Sequence, residues 1–301
     1  MLAPVNATTL ILDGKAISAQ IRAELKQATE AFTGKAGRRP GLATILVGDN
    51  PASHTYVANK IKACAETGME SMHHPLPADT SMADLLALIR KLNENPKVDG
   101  ILLQLPLPHN ADSTPALELI NPGKDADGLH PFNLGQLFEY KNWKEMASGK
   151  TPLSCTPHGV IQILQRSNLP VSGKHVVVLG RSKLVGKPVA MMLQALDATV
   201  TMCHSRTKNL ETVCREADIL VAAIGQPRYV KAAMVKDGAV VLDVGINRDK
   251  DGKLCGDVDF DAVKDKASAI TPVPGGVGPM TIAMLLYNTL QLAKQQAEAS
   301  P

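Results

Sequence analysis

Apolar and polar positions follow two rhythms along this chain. Residues 15–31, KAISAQIRAELKQATEA, repeat apolar side chains at helical spacing. So do residues 52–67, stopped by Gly68, and residues 81–94. Between these helices lie two apolar runs, GLATILVGD at 41–49 and VDGILLQLPLP at 98–108, which read as buried strands, the second broken by its prolines. Strands separated by helices predict parallel pairing and an α/β fold. Residues 121–156 hold Pro, Gly, Asn and Trp143, read as irregular, and mark a domain junction. A helix is expected to begin near Thr156-Pro157, where Thr caps and Pro suits the first turn.

From Lys174 the rhythm tightens: strand HVVVL, a loop, helix 185–196, strand ATVTMC, helix 208–216, then strands DILVAAI and GAVVLDVG. This predicts a doubly wound, Rossmann-like nucleotide-binding unit. The last helix, 279–297, follows PGGVGP and is expected to return to the first domain, leaving AEASP as a frayed tail. The predicted architecture is two α/β domains with a cleft between them: residues 1–150 joined by the helix 279–301, and residues 151–278.

Composition narrows the function classes. The 301 residues suffice for two ordinary domains with ample core. Aromatics are only 3%, so the core is aliphatic and a base-stacking surface is not expected. A net charge of +3 without long runs of one sign argues against a nucleic-acid groove or a membrane surface. No apolar run is long enough to span a bilayer, and MLAPVNATTLILDGK does not read as a secretory signal. Five scattered cysteines without C-x-x-C spacing point to a reduced, cytosolic protein. The histidines show no ligand spacing; His73 and His74 are expected at the surface, and no metal is expected.

The stretch GRSKLVGKPV (180–189) follows strand HVVVL where a dinucleotide-binding turn would lie, but with Ser182 in place of the second glycine and the last glycine one position late, at Gly186. Gly180 permits a tight turn, backbone N–H groups face outward at a helix start, and Ser182 offers a hydroxyl to a phosphate. The next strand runs into His204-Ser205-Arg206 and carries no carboxylate at its end, where an NAD site places one. A hydroxyl and guanidiniums suit a 2′-phosphate instead, so Arg181 and Arg206 are expected to read NADP. The alternative is that both arginines are solvated surface residues.

In the first domain, Ser53, Tyr56 and Lys60 are spaced to share a helix face. Taken alone, a packed Tyr and a snorkelling Lys explain this better than catalysis does. Gln104 ends a buried strand, where open α/β sheets present ligand contacts. Asp125 and Asp127 lie in KDADGL, which also reads as a simple loop. PGGVGP (274–279) is either a turn or a loop whose backbone contacts a ligand.

Together, Y-x-x-x-K at 56–60, Q-L-P-L-P at 104–108, K-D-x-D-G at 124–128, G-R-S-x-x-V-G-x-P at 180–188 and T-P-V-P-G-G-V-G-P-M-T at 271–281 resemble the bifunctional methylenetetrahydrofolate dehydrogenase/methenyltetrahydrofolate cyclohydrolase family. The resemblance covers nearly the whole chain. It implies NADP on the second domain, a tetrahydrofolate substrate between the domains, and a homodimer. By position it implies that Lys60 is the central catalytic group and Gln104 its hydrogen-bonding partner. Tyr56 would stack on the folate rings, and Asp127 would accept from the pterin N–H groups. It further implies substrate contacts at Leu105, Pro106, Pro274, Gly275, Gly276, Val277 and Gly278, and cofactor contacts at Gly180, Arg181, Ser182, Ser205 and Ile246. Cys155 falls near the nicotinamide in such enzymes, as a packing residue rather than a nucleophile. A shikimate-dehydrogenase-like oxidoreductase and a non-catalytic NADP- or folate-binding regulator are the alternatives; the 271–281 motif argues against the first, and the full set Tyr56, Lys60, Gln104 and Asp127 against the second.

Overall fold

The computed structural model describes residues 8–299. The elements run β1 (Leu10–Ile11), α1 (Gly14–Ala36), β2 (Gly41–Val47), α2 (Pro51–Glu66), β3 (Glu70–Leu76), α3 (Met82–Glu94), β4 (Gly100–Leu103) and α4 (Thr114–Leu119). There follow α5 (Pro131–Gln136), α6 (Trp143–Met146), α7 (Cys155–Arg166), β5 (His175–Leu179), α8 (Gly186–Ala195), β6 (Thr199–Cys203), α9 (Leu210–Arg215) and β7 (Ile219–Ala222). The chain ends with β8 (Val240–Asp243), β9 (Asn247–Arg248), β10 (Leu254–Cys255), α10 (Phe260–Val263), β11 (Ala269–Ile270) and α11 (Val277–Ala299).

These elements form two compact units. One comprises Ser18–Glu139, Lys144–Cys155 and the chain from Ile282. Its sheet is parallel, in the order β3-β2-β4. All seven residues of β2 are buried, as a central parallel strand covered on both faces must be. Ala43, Ile45 and Val47 pack with Leu85, Ile89 and Leu92 of α3 and with Ile101 and Leu103 of β4. Helix α3 starts where Ser81 accepts the Asp84 N–H at 3.1 Å.

The other unit comprises the described residues up to Ile17, Tyr140–Trp143 and Thr156–Thr281. Its six-stranded sheet is parallel throughout, in the order β1-β11-β8-β7-β5-β6, with β9 and β10 pairing antiparallel as a separate ribbon. The chain moves from β5 outward to β6, then returns to place β7 on the other side of β5. That reversal is the point at which such sheets open a crevice beyond their carboxyl ends. The core beneath it is aliphatic and sulfur-bearing, with Val177, Leu179, Cys203, Cys214, Leu220 and Val241 all buried.

Several expectations are corrected. Strand β3, ESMHHPL, was not predicted: an edge strand is only half covered, so its apolar pattern is weak, and it is recognisable only through its seven-residue register with β2. His73 on it is exposed and His74 half-buried. The strand expected over 98–108 is confined to Gly100–Leu103; Gln104 still donates its N–H to Ile45 O at 2.9 Å, but Pro106 and Pro108 have no N–H to continue the ladder. The stretch 121–156, read as irregular, holds α5 and α6, and α7 begins at Cys155 rather than Thr156. Strand β1, which was not predicted, pairs with β11, so Leu10 and Ile11 lie in the six-stranded sheet. Helix α11 starts at Val277 and runs through Ala299, so the tail expected to fray is helical for three of its residues; the last two lie outside the described residues. Among the described residues no helix is long and apolar enough to cross a membrane.

Ile45 is fully buried at the centre of the three-stranded unit. Ile45→Ala is expected to destabilise that unit by about 2–5 kcal/mol, through lost burial and an unfilled cavity, read from denaturant unfolding followed by circular dichroism.

Candidate active site

Helix α2 delivers Lys60. Its start is set by Asn50, whose side chain accepts the N–H groups of Ala52 (3.0 Å) and Ser53 (3.2 Å), with Pro51 in the first turn. Its end is set by Gly68, at φ 76°. Between these stops one face is buried: Ser53, Val57, Lys60 and Cys64. Tyr56, four residues before Lys60 and on the same side of the helix, is 39% exposed, whereas Lys60 is 8% exposed. A phenol ring in that position is open to a ligand, and an amine in that position is nearly dry.

Lys60 Nζ donates to Gln104 Oε1 at 2.8 Å. The other end of the same amide is committed, since Gln104 Nε2 donates to the Leu105 carbonyl at 2.7 Å. This fixes which end of Gln104 meets the lysine. The partner is thus an uncharged acceptor, which orients the amine without stabilising its ammonium form as a carboxylate would. Burial accordingly lowers the Lys60 pKa below the usual lysine range, while Asp127 pulls it back up. Asp127 shows the reciprocal effect: burial raises its carboxyl above the usual range, and Lys60 holds it down. Asp127 retains some accessible surface although its carboxyl is desolvated.

The two carboxylates of KDADGL do different things. Asp125 accepts from His130 N (2.8 Å) and Asn133 Nδ2 (2.9 Å) and so closes the loop. Asp127 instead faces Lys60 and the Cys155 thiol. Cys155 is 1% exposed, and burial together with Asp127 raises its pKa well above the thiol range, so it stays protonated and is not a nucleophile. Its S–H also meets the Ala126 carbonyl at 3.4 Å. Asn288 of α11, overlooked in the sequence, pins this region by donating to the carbonyls of Ala126 (2.9 Å) and Leu153 (2.8 Å). The signal for it was a lone amide in the apolar run LLYNTL. Lys60, Gln104 with Leu105, Asp127 and Cys155 thus come together within the three-stranded unit.

The candidate nucleotide contacts gather at the carboxyl ends of β5 and β6 in the six-stranded unit. Gly180 has φ 126°, and a Cβ there would lie 2.1 Å from the Ala223 carbonyl oxygen, so only glycine fits. A Cβ at Gly186 would lie 2.4 Å from the Gly180 oxygen, which explains the late glycine: it lets α8 close onto the turn. Ser182 Oγ accepts from Val185 N (3.2 Å) and Gly186 N (3.4 Å), a capping role, and its hydroxyl hydrogen is left to donate outward. Gly180 N donates to Cys203 O at 2.9 Å, which sets the ends of β5 and β6 side by side. Arg181, Ser205 and Arg206 are all exposed around them. No carboxylate ends β6, and a hydroxyl and two exposed guanidiniums stand at these strand ends instead, a donor set of the kind that suits a 2′-phosphate.

Pro274 to Gly278 lie at the start of α11, in the same unit. Gly275 O accepts from Lys15 N at 3.1 Å, and a Cβ on Gly14 would lie 1.8 Å from the Gly276 oxygen, so this backbone is packed against the start of α1. Ile246 is 49% exposed, and a Cβ on Gly278 would lie 3.6 Å from its Cδ1, which makes the two loops neighbours. Among the described residues no group of three or more His, Cys, Asp or Glu is arranged to hold a metal ion.

Comparison with known proteins matches both parts of the chain to one family. Residues 12–127 match the model of the tetrahydrofolate dehydrogenase/cyclohydrolase catalytic domain, and residues 154–297 match that family's NAD(P)-binding domain. The chain is 54% identical over 288 residues to the bifunctional protein FolD of Geotalea uraniireducens, covering 95% of this chain and 99% of that one. The crystal structure of the bifunctional FolD enzyme, methylenetetrahydrofolate dehydrogenase/cyclohydrolase, from Campylobacter jejuni superposes with a TM-score of 0.89 at 47% identity, over 95% of this chain and 99% of that one. The Trypanosoma brucei dehydrogenase-cyclohydrolase, solved with NADP and an inhibitor, gives 0.89 at 40% identity, over 97% and 99%. With both of its domains matched and near-full-length relatives above half identity, the chain belongs to the tetrahydrofolate dehydrogenase/cyclohydrolase family.

Proposed function

We propose that this chain oxidises 5,10-methylenetetrahydrofolate to 5,10-methenyltetrahydrofolate with NADP⁺, and then hydrolyses the methenyl compound to 10-formyltetrahydrofolate. The observation that carries this reading is the buried Lys60, bonded to an uncharged Gln104 and facing Asp127, in a chain that also presents a phosphate-type turn with arginines and no terminal carboxylate. When bound, NADP⁺ accepts the hydride. That transfer leaves a cation spread over the folate nitrogens and asks no base of the protein; the demand is for positioning. Arg181 and Arg206 are the groups for the 2′-phosphate, with Ser182, Ser205 and the Gly180 turn beside them.

Hydration does need proton handling. Water oxygen bonds to the methenyl carbon as Lys60, favoured as the neutral amine by its burial, takes a water proton. The bond from that carbon to N5 then breaks, and N5 receives a proton from the Lys60 ammonium. The carbon stays on N10 as the formyl group, and the second water proton is released to solvent. Asp127 keeps the ammonium form within reach and accepts from the pterin N–H groups; Tyr56 stacks on the rings; Leu105 and Pro106 line the folate. The same family reading supports a homodimer in the cytoplasm, with NADP as its nucleotide and no metal.

The test is a spectrophotometric assay with 5,10-methylenetetrahydrofolate and either NADP⁺ or NAD⁺, following reduced nucleotide and methenyl absorbance together. Reduced nucleotide with little methenyl accumulation is expected; methenyl build-up would remove the hydrolytic role, and no turnover would return the chain to a binding protein. Lys60→Met is expected to lower hydrolysis by about 10²–10⁴-fold, more than it lowers oxidation. Small and equal losses in both would exclude the role. Gln104→Glu places a second negative charge by Lys60 and is expected to move the acid limb of the hydrolysis pH profile upward by about one to three units. Arg181→Ala is expected to weaken NADP⁺ by roughly 1.5–3 kcal/mol and leave NAD⁺ nearly unchanged, read from the two KM values.

A further inference from the structure

Two buried carboxylates at the far side of the crevice escaped the sequence reading. Asp243 ends β8 and Asp257 lies just after β10; they are 3% and 0% exposed. Asp243 Oδ1 accepts from Gly245 N and Asp257 N, both at 2.9 Å, and its Oδ2 accepts from Val258 N at 2.9 Å. Its own N–H donates to Thr271 Oγ1 at 2.7 Å. Asp257 in turn accepts at Oδ2 from Ile224 N (2.7 Å) and Gly225 N (3.0 Å), and at Oδ1 from Gln226 N (2.8 Å) and Asn247 Nδ2 (2.9 Å). The two therefore act in series: Asp243 holds the backbone of Asp257, whose side chain holds three consecutive amides after β7 and the side chain next to Ile246.

The packing around them admits no substitute. A Cβ on Gly256 would lie 1.8 Å from Asp243 Oδ2, and one on Gly245 would lie 2.3 Å from Asp257 Oδ1. Burial pushes Asp243 up to about 7 even against its three N–H donors, so the arrangement is costly to maintain. Its position suggests why it is kept. The glycine turn after β5 packs on Ala223, and residues 224–226 continue from there along the opposite side of the point where β5 and β7 diverge.

We propose that Asp257, seated by Asp243, is a positioning residue for dinucleotide binding: its carboxylate sets the backbone of 224–226 and the segment 246–247 that together wall the crevice. The proposal rests on the family's use of this domain for NADP. Asp257→Asn replaces one acceptor oxygen with a donor that faces other N–H groups. In the full-length chain it is expected to raise KM for NADP⁺ at least about tenfold, with kcat at saturating NADP⁺ within about threefold. Hydrolysis of added 5,10-methenyltetrahydrofolate, which needs no nucleotide, should stay within about twofold. Asn247→Ala removes one of the four bonds and should show the same split with a smaller rise, and it decides the matter if Asp257→Asn does not fold. An unchanged KM in both variants, or both activities falling together in Asn247→Ala, would overturn the proposal. Failure of the unaltered chain to use NADP⁺ would overturn the family activity instead, so the two failures are separable.

Discussion

A lysine amine kept almost dry is the constraint on which the candidate site is built. Burying an ammonium is unfavourable unless a charge or a hydrogen-bond acceptor compensates it. Here the compensation is divided: Gln104 supplies the acceptor at 2.8 Å, and Asp127 supplies the opposite charge. The division matters because an acceptor without charge fixes geometry while leaving the proton loosely held. Much of the surrounding structure serves to hold those two partners. Asn50 caps the helix that carries Lys60, the ladder bond to Ile45 sets the backbone of Gln104, and Asn288 ties down the chain just before Asp127 and just before Cys155.

The six-stranded unit solves a different problem with different means. A dinucleotide is recognised largely through backbone N–H groups and a few side chains at strand ends, so loops must be held in place without side chains filling the crevice. Gly180 and Gly186 keep the β5 turn free of side-chain bulk, and Ser182 secures it from within. On the other side the loops are held by carboxylates that accept backbone amides in groups of three. One unit thus buries charge to tune a proton, and the other buries charge to shape a backbone.

Much of this was legible in the chain. The long amphipathic helices and the buried parallel strands announce themselves through periodicity, because burial on one face or on both leaves an apolar record. Gln104 and the turn at Gly180 stood out by residue type, as a polar end to an apolar strand and a glycine turn with an arginine inside it, whereas Tyr56, Lys60 and Asp127 were assigned a role only by the resemblance of the combined motifs to a known family. The half-covered edge strand β3 and the two-residue strands β1 and β11 left no comparable record, since short or one-sided pairing asks little of the side chains. Spacing placed Tyr56 beside Lys60 on α2, but only the packing shows that the amine is nearly dry while the phenol stays exposed.

By itself, then, the sequence determined the two α/β units, the family and most of the reactive groups, because each depends on local pattern or on residue type. Only the tertiary structure decided how those groups behave. The proton affinity of Lys60 depends on how much water it loses and on which end of Gln104 meets it, and neither is written in the Y-x-x-x-K spacing. Asp243 and Asp257, fourteen residues apart, become one clasp only when β8 and the turn after β10 meet, since electrostatics and hydrogen bonding act through space rather than along the chain.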